Sequence, residues 1–247
     1  MGKHYLLFSV FVLVILLTTG CIQKYADYHS GIENEQKALD YMMSIYGLKC
    51  ETVNKWVGNR NLTGGRQQDE FTLYTGEFPF NIVINGETID DYYPCAFMGN
   101  EISRQVSEFT CAKYGESIEK IICRSYVHTN EKKLLTVFSD INDLAQRNIE
   151  VSLYLVAPTD KEIYTHLFAS VFAYLQDSFD DFLLKVYFIE EVDFADIERY
   201  LITNVHMLTD FDSMNIHPIC SFEYFKSRDL YIADYSEIIK TAESCMK

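Results

Sequence analysis

Positive charge is scarce in this chain: 21 Lys and Arg stand against 36 Asp and Glu. Such a surface repels nucleic acid and anionic lipid headgroups, so no nucleic-acid partner is expected, and acidity of this kind serves solubility. Long apolar runs are missing too. The one marked run, Tyr5 to Leu17, is thirteen residues, whereas a spanning helix needs roughly 20. No two cysteines have the C-x-x-C spacing of a redox centre or zinc knuckle. There is no G-x-S-x-G elbow, no G-x-x-x-x-G-K-[ST] phosphate loop and no H-E-x-x-H zinc helix. Gly64-Gly65 has no strand before it and no helix after it, which makes it a bend rather than a dinucleotide loop. His29, His128, His166, His206 and His217 are scattered without ligand spacing, and His166 reads as a packed or rim histidine of an apolar helix. No catalytic residue, cofactor or metal site is therefore expected.

What is present is a folded body behind an export signal. Apolar residues make up 48% and aromatics 15%, with 18 Tyr and 17 Phe, a composition of globular rather than disordered chains. Lys3 leads into the apolar run, which ends in Thr18-Thr19-Gly20-Cys21. A charged start, a short apolar core and a small residue before a cut site make a secretory signal. The cysteine directly after Gly20 makes this end resemble the lipobox of bacterial, Gram-positive lipoproteins, with Thr18 where that family most often carries Leu. The resemblance implies that residues 1–20 are removed, that the Cys21 thiol carries a diacylglycerol, and that the chain sits on the cell membrane facing outside the cytoplasm. Two acyl chains hold stably where one binds marginally. The plainer readings are an uncleaved anchor, which the thirteen residues disfavour, and an ordinary secretory signal.

Residues 21–32 read as the lipidated cysteine and a polar tether. Beyond them the pattern predicts an α+β fold in two units, 33–129 and 130–247. The first begins with a helix, Ala38, Tyr41, Met42 and Ile45 recurring at helical spacing until Gly47. Strands are expected over 50–57, 70–75, 80–84 and 88–93, with Asn85-Gly86 as a two-residue hairpin turn. A second helix, 101–114, closes in Tyr114-Gly115 as the first closes in Tyr46-Gly47, and a strand over 118–127 follows. A helix ending in Tyr-Gly before an antiparallel meander, with Asp-Tyr-Tyr near its close, resembles small exported lipoproteins of Gram-positive gut bacteria. The second unit reads as strand 151–156, a helix from Asp160 to Asp177, strand 182–189, a short helix 194–202 capped by Asp193, strand 219–225 and helix 235–245. Strand-helix-strand order permits a crossover between parallel neighbours.

Three acidic pairs invite roles: Asp90-Asp91, Asp180-Asp181, and Asp210 with Asp212. The last lacks the full calcium-loop pattern and reads as a turn. Paired carboxylates serve glycoside cleavage only across a cleft of set width. Tyr92, Tyr93 and Trp56 are candidates for stacking on sugars or peptides, although strand aromatics belong more often to cores. Cys50, Cys95, Cys111, Cys123, Cys220 and Cys245 allow three disulfides or serve as buried thiols, and both remain open. The expectation is a membrane-tethered, non-catalytic binding or interaction module. The alternatives are an exported hydrolase using paired carboxylates and a small substrate-capture component of a transporter.

Overall fold

The structure, a computed structural model, describes residues 31–58, 68–128, 148–203, 211–212, 214–227, 232 and 234–245. Cys21 and its tether lie outside them. The fold is α+β, with helices and two four-stranded sheets. The chain divides into two compact units, one ending at Asp91 and the other running from Tyr92, with Phe78–Phe80 assigned to the second.

In the first unit helix α1 covers residues 31–46. It ends where Gly47 turns left-handed at φ +68° and donates its N–H to the Met43 carbonyl at 3.1 Å, the cap that glycine adopts without a Cβ penalty. Strands β1 (Glu51–Val57), β2 (Gln68–Tyr74), β3 (Pro79–Asn85) and β4 (Thr88–Asp91) form a sheet in that order. In the β3–β4 hairpin Asn85 pairs with Thr88, so the turn residues are Gly86-Glu87, one position later than expected. Gly86 has φ +63°, and glycine in the first turn position is the type II′ solution that matches strand twist. Polar contacts fix α1 to the sheet, among them Asn34 Nδ2, which donates to Asp69 of β2 at 2.6 Å, and Glu35, which pairs with Lys55 of β1 at 2.9 Å. Ala38, Met42, Phe71, Leu73, Ile82 and Ile84 are fully or almost fully buried.

The second unit contains α2 (Tyr93–Tyr114), β5 (Ile121–His128), β6 (Asn148–Val156), α3 (Glu162–Gln176), β7 (Asp181–Ile189), α4 (Glu191–Thr203), β8 (Cys220–Lys226) and α5 (Tyr235–Cys245). Its sheet runs β5-β6-β7-β8. The central pair β6/β7 is parallel, joined by the crossover through α3, and both outer pairings are antiparallel. Alternation sorts the side chains. Ile149, Val151, Leu153 and Leu155 with Phe182, Leu184, Val186 and Phe188 pack in one core with residues of α2, α3 and α5. Tyr154 and Ile189, on the opposite face, pack with Ile197 and Leu201 of α4. A sheet centre covered on both faces explains why the sequence of β6 is almost continuously apolar.

Three expectations need correcting. Helix α2 starts at Tyr93, ahead of the expected Glu101, so Tyr93 is helical rather than the end of a strand. Pro94 stands in its first turn, where the missing N–H costs nothing. The division between units accordingly falls at 91/92 and not at 129/130. The reason lies at Gly99: a Cβ there would sit 2.3 Å from the Ser125 carbonyl oxygen. The α2 backbone thus lies directly on β5 and belongs to the second unit. Asp193 is likewise inside α4, whose first residue is Glu191, rather than capping it.

Candidate functional site

The acidic residues singled out in the sequence do not gather. Asp90 and Asp91 are successive residues of β4 and so point to opposite faces of their sheet. Asp91 accepts hydrogen bonds from Tyr46 at 2.5 Å and Tyr41 at 3.3 Å, which ties α1 to β4. Burial and this carboxylate push the Tyr41 phenol above its ordinary value. Asp180 contributes its backbone carbonyl, which accepts from Lys226 Nζ at 2.7 Å. Asp212 is exposed, and Asp210 lies outside the described residues. Tyr93 is 7% exposed and stacks on Phe78, so it is core. Trp56, at 59%, is on the surface with its ring against Gly58. Cys50, Cys95, Cys111, Cys123 and Cys220 are thiols, not disulfide halves; the side chain of Cys245 is outside the described ones. His29 and His206 are also outside, and among the described residues no three His, Cys, Asp or Glu converge as metal ligands.

The structure assembles a constellation that no motif announced. Lys113 Nζ of α2 donates to Ser170 Oγ of α3 at 2.8 Å. The same hydroxyl lies 2.8 Å from Tyr114 and 2.9 Å from Tyr235 of α5. Both phenols also reach the His166 carbonyl, at 2.9 and 3.2 Å. The Lys113 ammonium rests 5.7–6.0 Å from the ring centres of Phe109, Tyr114 and Tyr235. Serine with lysine is a known nucleophile-base pair, but two facts argue against that role. Ser170 is 2% exposed, so an electrophile has no approach. Its one proton and two lone pairs are matched by three partners, which saturates it. Lys113 donates to one lone pair, and the hydroxyl's own proton and second lone pair are taken up by the two phenols. The network is a clasp across three helices. Burial raises the Tyr114 phenol above its usual range.

A second polar group sits on the α4-side face of the second sheet. Lys185 Nζ of β7 pairs with Glu150 Oε1 of β6 at 2.5 Å, and His128 Nε2 of β5 lies 3.4 Å from Oε2. Glu150 and Lys185 are 7% and 5% exposed. Beside them Arg124 donates to the Leu201 carbonyl near the end of α4 at 3.0 Å. Ser152, between Arg124 and Lys185 in the strand register, is fully buried and its hydroxyl has no partner among the described residues. Glu150 on β6 thus meets Lys185 of β7 through one oxygen and the His128 ring of β5 through the other, and so braces three strands.

Two concave surfaces are described: an open depression of about 570 Å³ in the first unit, lined by α1 residues such as Lys37 and Tyr41 with Ile89 of β4, and a cleft of about 250 Å³ between α2 and the end of α3 in the second. Ile102, Val106 and Phe179 floor it, Tyr174 walls it, and Gln105, Asp177 and Ser178 supply polar groups. Tyr174 is held by stacking on Phe109 at 4.5 Å. Sequence reasoning placed a helix over 101–114, which carries Ile102, Val106 and Phe109. It missed the cleft because that arises only where α2 and α3 meet. Glu150 and Lys185 carried a visible signal, since each is the charged residue inside an otherwise apolar run.

No protein-family model matches the chain. No curated protein matches it either. Among solved structures it is similar to a DUF5037 family protein from Ruminococcus gnavus, with a TM-score of 0.59 and 17% sequence identity, over 84% of this chain and 98% of that one. At that identity the likeness is one of fold: the arrangement of elements described above recurs in that protein.

Proposed function

We propose that this protein is a lipid-anchored lipoprotein on the outer face of the cell membrane that binds a ligand without transforming it. The observation that carries the reading is the end of the N-terminal apolar run, Leu17-Thr18-Thr19-Gly20-Cys21 behind Lys3. The chemistry follows from that cysteine: its thiol becomes a thioether to diacylglycerol, and two acyl chains anchor the chain stably. Support for binding over catalysis comes from the second unit. Its most enzyme-like group, Lys113 with Ser170, is buried and saturated, whereas the cleft between α2 and α3 is a concave surface open to a ligand.

Labelling with a palmitate analogue in a lipoprotein-producing bacterium tests the anchor. Wild type takes up label and partitions with membranes, while Cys21→Ala does neither. An unlabelled wild type, or equal label in the variant, would refute lipidation.

A further inference from the structure

We infer that the first unit rests against the membrane along its β1 border, where exposed apolar side chains of α1 and β1 meet the lipid. The inference rests on the Cys21 anchor and deepens it: the anchor holds the chain at a bilayer, and this border decides which surface touches it. Positions 32, 36, 39 and 43 follow helical spacing and lie along one face of α1. They hold Ile32, Gln36, Leu39 and Met43, three apolar residues and one neutral. Glu35 lies beside this row and reaches Lys55 of β1 at 2.9 Å, so the row follows the β1 side of the sheet. Among the described residues β1 is an outer strand. Trp56, next to Lys55 in the strand, projects from the other side of β1, so apolar groups flank the border from both sides. Ile32, Met43 and Trp56 are each between 43% and 59% exposed. Tryptophan favours the boundary between headgroups and hydrocarbon, where its ring is sheltered and its N–H stays wet.

The occupant follows from where the tether ends. Nine residues separate Cys21 from Gly31, a reach of at most about 36 Å when fully extended. Gly31 opens α1 directly before Ile32 and is packed on the end of β1, where a Cβ on it would sit 2.9 Å from a Val57 methyl. The chain therefore enters the folded unit at this border. Asp69 fastens the same corner, accepting from Asn34 of α1 at 2.6 Å and from the Gly58 N–H at 3.1 Å. Charge sorts the surfaces in the same sense. Glu33 and Asp40, exposed on the neighbouring face of α1, are repelled by anionic headgroups. Glu35 beside the apolar row is neutralised by Lys55, and Glu51 stands at the opposite end of β1 from Trp56. Exposed apolar residues of the second unit, Val192, Ile219 and Phe225, are joined to the lipid only through the whole of the first.

Trp56 is the single tryptophan of the chain, so its fluorescence reports on the border directly. The mature lipidated protein would be reconstituted into phosphatidylcholine vesicles, and into vesicles of the same lipid brominated on its acyl chains near the headgroup. The expected result is flotation with both, and Trp56 emission quenched by at least about half in the brominated vesicles. Ile32→Ser with Met43→Ser, both at exposed positions, should remove at least about half of that quenching while flotation stays unchanged. Val192→Ser on α4 should quench as wild type does, and an equal loss there would overturn the inference. Unquenched Trp56 in protein that floats overturns it too, and leaves the anchor standing. Full quenching in the double variant removes the α1 row from the contact and overturns the border as described. Emission shielded from iodide but untouched by bromine, and unshielded on diluting the protein in the bilayer, assigns the border to a second copy of the chain and overturns the lipid contact. Protein that does not float has no anchor, and both readings fall together.

Discussion

The two sheets handle buried polarity in opposite ways. In the first unit the fully buried carboxylate of Asp69 accepts hydrogen bonds from neutral donors, the Asn34 amide at 2.6 Å and the Gly58 N–H at 3.1 Å. Thr72 donates to Asn81 at 3.0 Å, nine residues on, and Asn81 donates to Glu70 at 2.5 Å, all on the adjacent strands β2 and β3. In the second unit a full ion pair, Glu150 with Lys185, lies between the two central parallel strands, 35 residues apart in sequence. An antiparallel neighbour can supply a partner across a short loop, but a parallel neighbour arrives only after a crossover helix. The charge on β6 therefore depends on α3 having packed before its counter-charge is in place. A buried pair of this kind stabilises little by itself, yet losing half of it is costly.

That contrast can be broken most forcefully at Lys185. Lys185→Met should leave Glu150 buried without its counter-charge and destabilise the second unit by about 3–5 kcal/mol in denaturant titrations. Glu150→Leu with Lys185→Met should recover most of this. A double variant as unstable as the single would mean that the pair is not the source of the loss.

The two units also use glycine differently, which sharpens the comparison at smaller amplitude. Gly99→Ala should cost about 1–3 kcal/mol, because the new Cβ meets backbone, the Ser125 carbonyl oxygen at 2.3 Å, which no side-chain movement relieves. Gly86→Ala in the first unit meets nothing within 4 Å and should cost only the left-handed backbone, about 1 kcal/mol. Equal losses at the two sites would contradict the close α2–β5 contact.

The smallest effect is expected at alkaline pH, and in the second unit. Burial pushes the Tyr126 phenol and the Cys123 thiol each up to about 12. Below the unfolded values, about 10 for Tyr and 8.5 for Cys, both are protonated in either state and their contribution is intact. As pH rises toward 12 the unfolded chain releases these protons and the folded chain does not, so stability falls. Denaturation midpoints followed from pH 8 to 12 should decline, and less steeply in Tyr126→Phe. An unchanged slope in that variant would remove Tyr126 from the account.

Much of the fold was legible. Ala38 and Met42 of α1, the apolar runs of β6 and β7, and the helix after Asp160 follow periodicities that local chemistry imposes, and the parallel crossover was among the arrangements the element order allowed. The start of α2 was not legible. Tyr92-Tyr93 continues a strand-forming composition, and Pro94 ordinarily interrupts; only the packing of α2 onto β5 through Gly99 draws the helix back to Tyr93. Adjacent acidic residues did not make a site, because neighbouring carboxylates in a strand face opposite ways, as Asp90 and Asp91 do. The residues that the structure does bring together, Lys113, Ser170, Tyr114 and Tyr235, lie on three helices and share no sequence pattern.

By itself the sequence determined what depends on neighbours along the chain: helix and strand periods, the acidic balance, and the resemblance at Cys21 on which the proposed anchor rests. Only the tertiary structure decided which polar groups meet: Glu150 with Lys185, Ser170 with its three partners, and Asp177 with Tyr174 at one cleft. The reason is physical. Periodicity records which side of an element is apolar, whereas a site depends on where two such sides stop fitting, and that is set by helices and strands far apart in the chain.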